Sequence, residues 1–182
     1  NKMSNYRHEY SEEACAAARA IREAFPAVEF TIFELVQLNE FVNHQLAHNV
    51  LFLSVEDDII DFVFDLLKEQ VPGKVLLDPT PELYHQYWYD GMIVLNKLVT
   101  EAPRGNEEAW HTRLEKMLVD LVSDPLLQEV ISKSEYPAIF EGAFSGYVID
   151  ESCLFRYAKR RASEKRLRAL IREKTNITLR TE

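Results

Sequence analysis

Val50–Leu77 reads VLFLSVEDDIIDFVFDLLKEQVPGKVLL, and its three parts decide the fold. Val50 to Val55 is a continuous apolar run, the mark of a strand covered on both faces. A helix opens at Ser54 or Glu56 with Glu56, Asp57 and Asp58 in its first turn, where carboxylates suit the positive end of the helix dipole. Ile59, Ile60, Val63, Phe64 and Leu67 form its inward stripe. Val71-Pro72-Gly73 stops the helix, and Lys74 to Leu77 is a further strand. Strand, helix and strand in this span make a βαβ unit, which implies parallel pairing through a right-handed crossover.

The neighbouring stretches extend that unit. Upstream, Glu29–Leu35 alternates, with Phe30, Ile32 and Glu34 on one face and Thr31, Phe33 and Leu35 on the other, as a strand does. Ser11, Glu12 and Glu13 open a helix rich in Ala and Arg that Pro26 ends, and Gln37–Ala47 is predicted as a short helix. Asn1–Tyr10 reads as a linker. Downstream, Glu82–Asp90 is a short helix and Met92–Val99 a fourth strand, free to pair in either direction. From Glu107 the chain turns helical. Leu114, Met117, Leu118, Leu121 and Val122 repeat at helical spacing, and Asp124-Pro125 ends that helix. A second, short helix follows. A third spans Pro137–Tyr147 with Ile139, Phe140, Ala143, Phe144 and Tyr147 inward, and a fourth starts at Asp150 or Glu151 with Leu154, Phe155 and Ala158 inward. These stripes must close over the sheet. The expected class is therefore α/β: a small, roughly four-stranded, mostly parallel sheet with flanking helices and an all-helical C-terminal third. The expected divisions are 1–10 as linker, 11–106 as the sheet region and 107–182 as a helical region packed on it, together one domain.

The composition, 47 % hydrophobic and 28 % charged, is that of a globular chain. No apolar run approaches the ~20 residues of a membrane helix, and no signal peptide opens the chain. Cys15 and Cys153 are too few and too far apart for a disulfide framework, so a cytoplasmic protein with free thiols is expected. The net charge of −9 is unevenly spread. Residues 151–182 hold ten Lys/Arg against four Asp/Glu, while residues 1–150 hold eleven against twenty-six. A basic end on an acidic body points to an anionic partner, or to contact between the tail of one copy and the body of another as a homodimer.

Arg156, Lys159, Arg160, Arg161, Lys165, Arg166 and Arg168 carry that basic end on one or two helices, and they are the candidate residues for binding nucleic acid or an acidic partner. Against them stands the reading of a solvated helix face. Glu34, Glu56, Asp57 and Asp58 are candidate metal ligands, because carboxylates at strand ends hold divalent cations in nucleases and phosphotransferases. The competing reading is dipole complementation. Glu40, His44 and His48 lie one turn apart on one face of the predicted helix, where they could share a metal; the competing reading is a polar, partly solvated face with hydrogen-bonded histidines. Lys116 and Asp120, at i and i+4, are read as a surface pair. Tyr84, His85, Tyr87, Trp88 and Tyr89 could stack on a base or pack the sheet edge. The chain shows no glycine-rich phosphate loop and no GxSxG, and no cofactor is expected.

The blocks LNEFVNHQ (Leu38–Gln45), SVEDD (Ser54–Asp58), LVTEAP (Leu98–Pro103), LEKMLVDLVSD (Leu114–Asp124) and IFEGAFSGYVIDESCLFRYAKRR (Ile139–Arg161) resemble an uncharacterised set of bacterial proteins. Through the last two blocks the chain is similar to the C-terminal domain of AbiEi-type proteins, the antitoxins of type IV abortive-infection toxin–antitoxin systems. In that family a winged-helix DNA-binding domain usually precedes this one. The C-terminal domain supports repression and counteracts a nucleotidyltransferase toxin. The resemblance implies a non-enzymatic, antitoxin-like regulatory domain of a phage-defence system acting by protein contacts, with operator recognition outside this stretch and nucleic-acid binding as an auxiliary role. It supplies no catalytic residues. The alternative is a divalent-metal-dependent nuclease or nucleotidyltransferase-like enzyme, which requires Glu34, Glu56 and Asp57 or Asp58 to converge around a cation.

Overall fold

A computed structural model describes residues 3–72 and 74–180; Gly73, part of the predicted helix stop, lies outside the described residues. Its four-stranded sheet has the order β1-β2-β4-β3, with β1 at Phe30–Glu34, β2 at Leu51–Val55, β3 at Val75–Leu77 and β4 at Ile93–Lys97. β4 pairs in parallel with β2 and β3, whereas β1 lies antiparallel on the edge of β2. The fold class is as expected, a mostly parallel α/β sheet with helices on both faces. The strand whose direction the sequence left open is the parallel centre, and the antiparallel member is β1.

Side-chain alternation divides the sheet between two cores. Phe30, Ile32, Leu51, Leu53, Val55, Ile93 and Leu95 face helices α1 (Glu12–Ala24) and α2 (Ile60–Gln70). Phe33, Phe52 and Val94 face the other way, onto α3 (Pro81–Tyr87) and the C-terminal helices. β2 is thus apolar on both sides because both sides are covered. These helices are α4 (Leu114–Ser123), α5 (Pro125–Val130), α6 (Tyr136–Gly146), α7 (Glu151–Arg160) and α8 (Glu164–Lys174). α4 is their hub. Nine of its ten residues are buried, so the predicted one-sided stripe is in fact a helix covered almost all round. Among the described residues, no helix is long and apolar enough to cross a membrane.

Three local expectations are corrected. First, Gln37–Ala47 is not a helix: a 3-10 turn at Leu35–Glu40 gives way to a loop. The Asn39 side chain causes this, donating to the Leu46 carbonyl (3.2 Å) and accepting from the Leu46 N–H (2.7 Å), which competes with helical bonding. Second, the helical region starts at Leu114 rather than Glu107, because the preceding segment lies beside β1. Ile32 N–H donates to the Trp110 carbonyl and Thr112 Oγ1 to the Ile32 carbonyl, so backbone a helix would use covers the sheet edge instead. Third, the expected linker is tied to the fold from Ser4 onward, where the Ser4 carbonyl accepts from the Val148 N–H. Tyr6 Oη accepts from Gln37, and Tyr10 Oη donates to the Ile32 carbonyl and accepts from the Thr112 N–H.

α7 and α8 form a hairpin through a complete Schellman turn: the Ser163 N–H reaches the Ala158 carbonyl and the Ala162 N–H the Lys159 carbonyl. Ala162 occupies the left-handed position with φ 53°, where glycine carries no Cβ penalty. Ala162→Gly is therefore expected to raise stability by about 0.5–1 kcal/mol in urea unfolding, with no change in fold.

Candidate functional site

The α7–α8 hairpin is fixed to α4 by buried charge. Asp120 accepts from Lys116 Nζ (2.6 Å), Tyr157 Oη (2.8 Å) and Arg161 Nη1 (2.7 Å). Lys116 and Asp120 are buried, so the expected surface pair is a core pair. Burial pushes the Tyr157 hydroxyl far above its ordinary range, and the Asp120 carboxylate adds to the rise. Burial alone would lower the Arg161 pKa; the Asp120 carboxylate outweighs it and raises it. At the hairpin tip, Ser123 Oγ donates to Ser163 Oγ (2.7 Å).

This anchoring divides the predicted basic residues. Arg161 belongs to the buried network. Arg168 stacks on the Phe155 ring, 3.8 Å from its centroid, and pairs with Glu164, so it covers apolar surface. Arg160 donates from Nη2 to Thr100 Oγ1 (2.6 Å) in the loop after β4. The side chains of Arg156, Lys159, Lys165 and Arg166 are exposed and make no hydrogen bond or ion pair with the described residues. Four of the seven predicted positions are thus free cations on a rigid two-helix mount.

The metal candidates do not converge. The register sets Glu34 opposite Leu51 and Phe30 opposite Val55, so Glu34 and Glu56 lie at opposite ends of β2, on the order of 15 Å apart. Glu34 is buried and satisfied within the protein. It pairs with His8 (2.6 Å) and accepts from the Ser11 hydroxyl and from Asn49 Nδ2 (3.2 Å). Burial raises its pKa, but the hydrogen bonds from His8 and Ser11 outweigh that and hold it below the usual range. Asp57 pairs with Lys97, and Glu56 accepts from the Glu29 N–H. Glu40, His44 and His48 are also separated: Glu40 accepts from Tyr147 Oη, His44 pairs with Glu135, and His48 lies edge-on to Trp88. Among the described residues, no group of three or more His, Cys, Asp or Glu side chains is placed to hold a metal ion. In the aromatic cluster, Tyr84 is core, while Tyr87 is 55 % and Trp88 38 % exposed. Cys15 and Cys153 are free and half-buried, and burial pushes the Cys153 thiol up.

A cleft of about 1170 Å³ opens at the C-terminal ends of β2 and β4. The chain leaves β2 toward α2 on one face of the sheet and leaves β4 toward α4 on the other, which makes this crevice the topological switch point where α/β sheets receive ligands. Its rim carries Glu56, Asp58 and Glu101, for which the described residues supply no cationic partner. Arg104 pairs with Glu29, and Arg22 with Glu108. Glu101 has φ 68°, a left-handed conformation that turns the loop after β4 around the rim. Residues 98–103 entered the sequence reading only as a block of the family resemblance, and residues 98–110 were not read as lining a site. The signal for them was the strand order, since a switch point follows from topology and not from local composition.

A family model for a family of unknown function, DUF6577, matches residues 1–177, and the chain belongs to that family. No curated protein and no solved structure matches it.

Two outcomes follow from the buried carboxylates. Asp120→Ala strands the buried Lys116 ammonium and is expected to cost about 3–5 kcal/mol in urea unfolding; adding Lys116→Met recovers part of the loss. For Glu34, whose folded pKa is depressed, the stabilisation is present above the unfolded pKa of about 4.3 and lost as pH falls through the folded value. The stability gap between wild type and Glu34→Gln should therefore close as the medium is acidified below about pH 5.

Proposed function

We propose that this DUF6577-family chain is a non-enzymatic regulatory module of the antitoxin kind, whose working surface is the α7–α8 hairpin and whose ligand there is the phosphate backbone of nucleic acid. The observation that carries this reading is the set of four exposed cations without partners, Arg156, Lys159, Lys165 and Arg166, on a hairpin that Asp120 holds to the core. Cations mounted on a rigid element lose little freedom on binding, and their contacts with phosphates release counterions. The resemblance of Leu114–Asp124 and Ile139–Arg161 to AbiEi-type antitoxins supports the regulatory part. A cytoplasmic location, a nucleotidyltransferase toxin as protein partner and a second copy of the chain go with this reading.

Four phosphate contacts give a slope of log affinity on log salt of about −3.6, so binding to a duplex should weaken about 100-fold between 50 and 200 mM salt. Lys165→Glu with Arg166→Glu should reduce the magnitude of that slope by about 2. Fluorescence anisotropy with labelled duplex and single strands, with Mg²⁺ present, checks both. A salt-independent affinity contradicts phosphate binding, and cleavage of the strand contradicts the non-enzymatic part.

A further inference from the structure

The free cations and the acidic cleft are neighbours. Arg160, in the last turn of α7, donates from Nε (3.2 Å) and Nη2 (2.6 Å) to the hydroxyl of Thr100, and Thr100 lines the cleft. One end of the molecule therefore presents a negative concavity, edged by Glu56, Asp58 and Glu101, directly beside a positive convexity, the tip of the α7–α8 hairpin. The two are complementary in charge: a cleft of about 1170 Å³ with unpaired carboxylates at its edge against a two-helix tip with exposed cations on both sides of the turn.

A face of this kind is self-complementary. Across a two-fold axis, an isologous interface sets patch i of one copy on patch j of the other and, by symmetry, j on i. Adjacent patches of opposite sign satisfy both contacts at once. Within one chain they do not pair among the described residues: the Asp120 network and the Ser123–Ser163 bond hold the hairpin to α4, and Arg160 bonds the rim through the Thr100 hydroxyl and not a carboxylate. The free carboxylates of one copy and the free cations of another are left to pair.

We propose that a second copy of this chain docks here as a two-fold dimer, each α7–α8 hairpin tip entering the partner's switch-point cleft. This rests on the reading above in taking the hairpin as the working surface, and it adds a regulatory consequence. Dimerisation and phosphate binding use the same cations, so they exclude one another, and nucleic acid shifts the chain to monomer.

Charge exchange tests this on the full chain. One variant reverses the cleft (Asp58→Lys, Glu101→Lys), and the other reverses the hairpin (Lys159→Glu, Lys165→Glu, Arg166→Glu). All these side chains are exposed, so circular dichroism should show both variants folded. In sedimentation velocity at low salt, the wild type is expected to dimerise, each variant alone to self-associate about tenfold or more weakly, and their equimolar mixture to form a heterodimer. In the mixture both contacts are restored with exchanged signs. A monomeric wild type, variants that still dimerise alone, or a mixture that stays monomeric would each overturn the proposal. Duplex binding separates it from the functional reading. The cleft variant keeps all its hairpin cations, so it binds duplex at least as tightly as the wild type if that reading holds, and loss of its duplex binding would overturn the reading and not the dimer.

Discussion

The Asp120 carboxylate is the interaction on which the molecule's layout depends. It lies on α4, the most enclosed of the C-terminal helices, and accepts hydrogen bonds from Lys116 on the same helix and from Tyr157 and Arg161 at the end of α7. A charge this far from water is tolerated only when its partners are fixed, and holding them fixed is what sets the angle of the hairpin. The cost of burying the charges is offset by the hydrogen bonds, so the network's contribution lies in placing α7 and α8 rather than in net stability.

With the hairpin placed, the rest of the charge pattern acquires a geometry. α7 ends in Lys159 and Arg160, which suit the negative end of its dipole, and α8 carries Lys165 and Arg166 outward immediately after the turn. The parallel sheet brings its own crevice to the same end of the molecule. β2 and β4 finish there, their loops diverge to opposite faces, and the acids of the 56–58 segment stand at the opening. An acidic chain with a basic C-terminal segment thus becomes a molecule with two opposed patches side by side.

Much of this was legible in the sequence where the signal is local. The run Val50–Val55, the acids at 56–58 and the stripe Ile60, Val63, Leu67 fixed β2 and α2, and the alternation of Glu29–Leu35 fixed β1. What was not legible depends on partners distant in sequence. Lys116 and Asp120 have the spacing of a surface ion pair, and only the covering of α4 by α7 makes them a core pair. His8 looks like part of a polar tail until Glu34, 26 residues on, receives it. The apparent helix 37–47 has acceptable helix formers, but Asn39 closes a loop with Leu46 instead. The carboxylates 34 and 56–58 looked like one metal site because both stand at the ends of strands expected to run parallel. The antiparallel register of β1 puts them at opposite ends.

The most direct test of the account is to map backbone amide shifts by NMR while a short DNA duplex is titrated into the protein at low salt. The account predicts perturbations concentrated on residues 156–168, with the N–H groups of α4 next to Asp120 following because the two helices move as one unit. Shifts confined to the exposed Tyr87 and Trp88 surface, or no shifts at all, would contradict it.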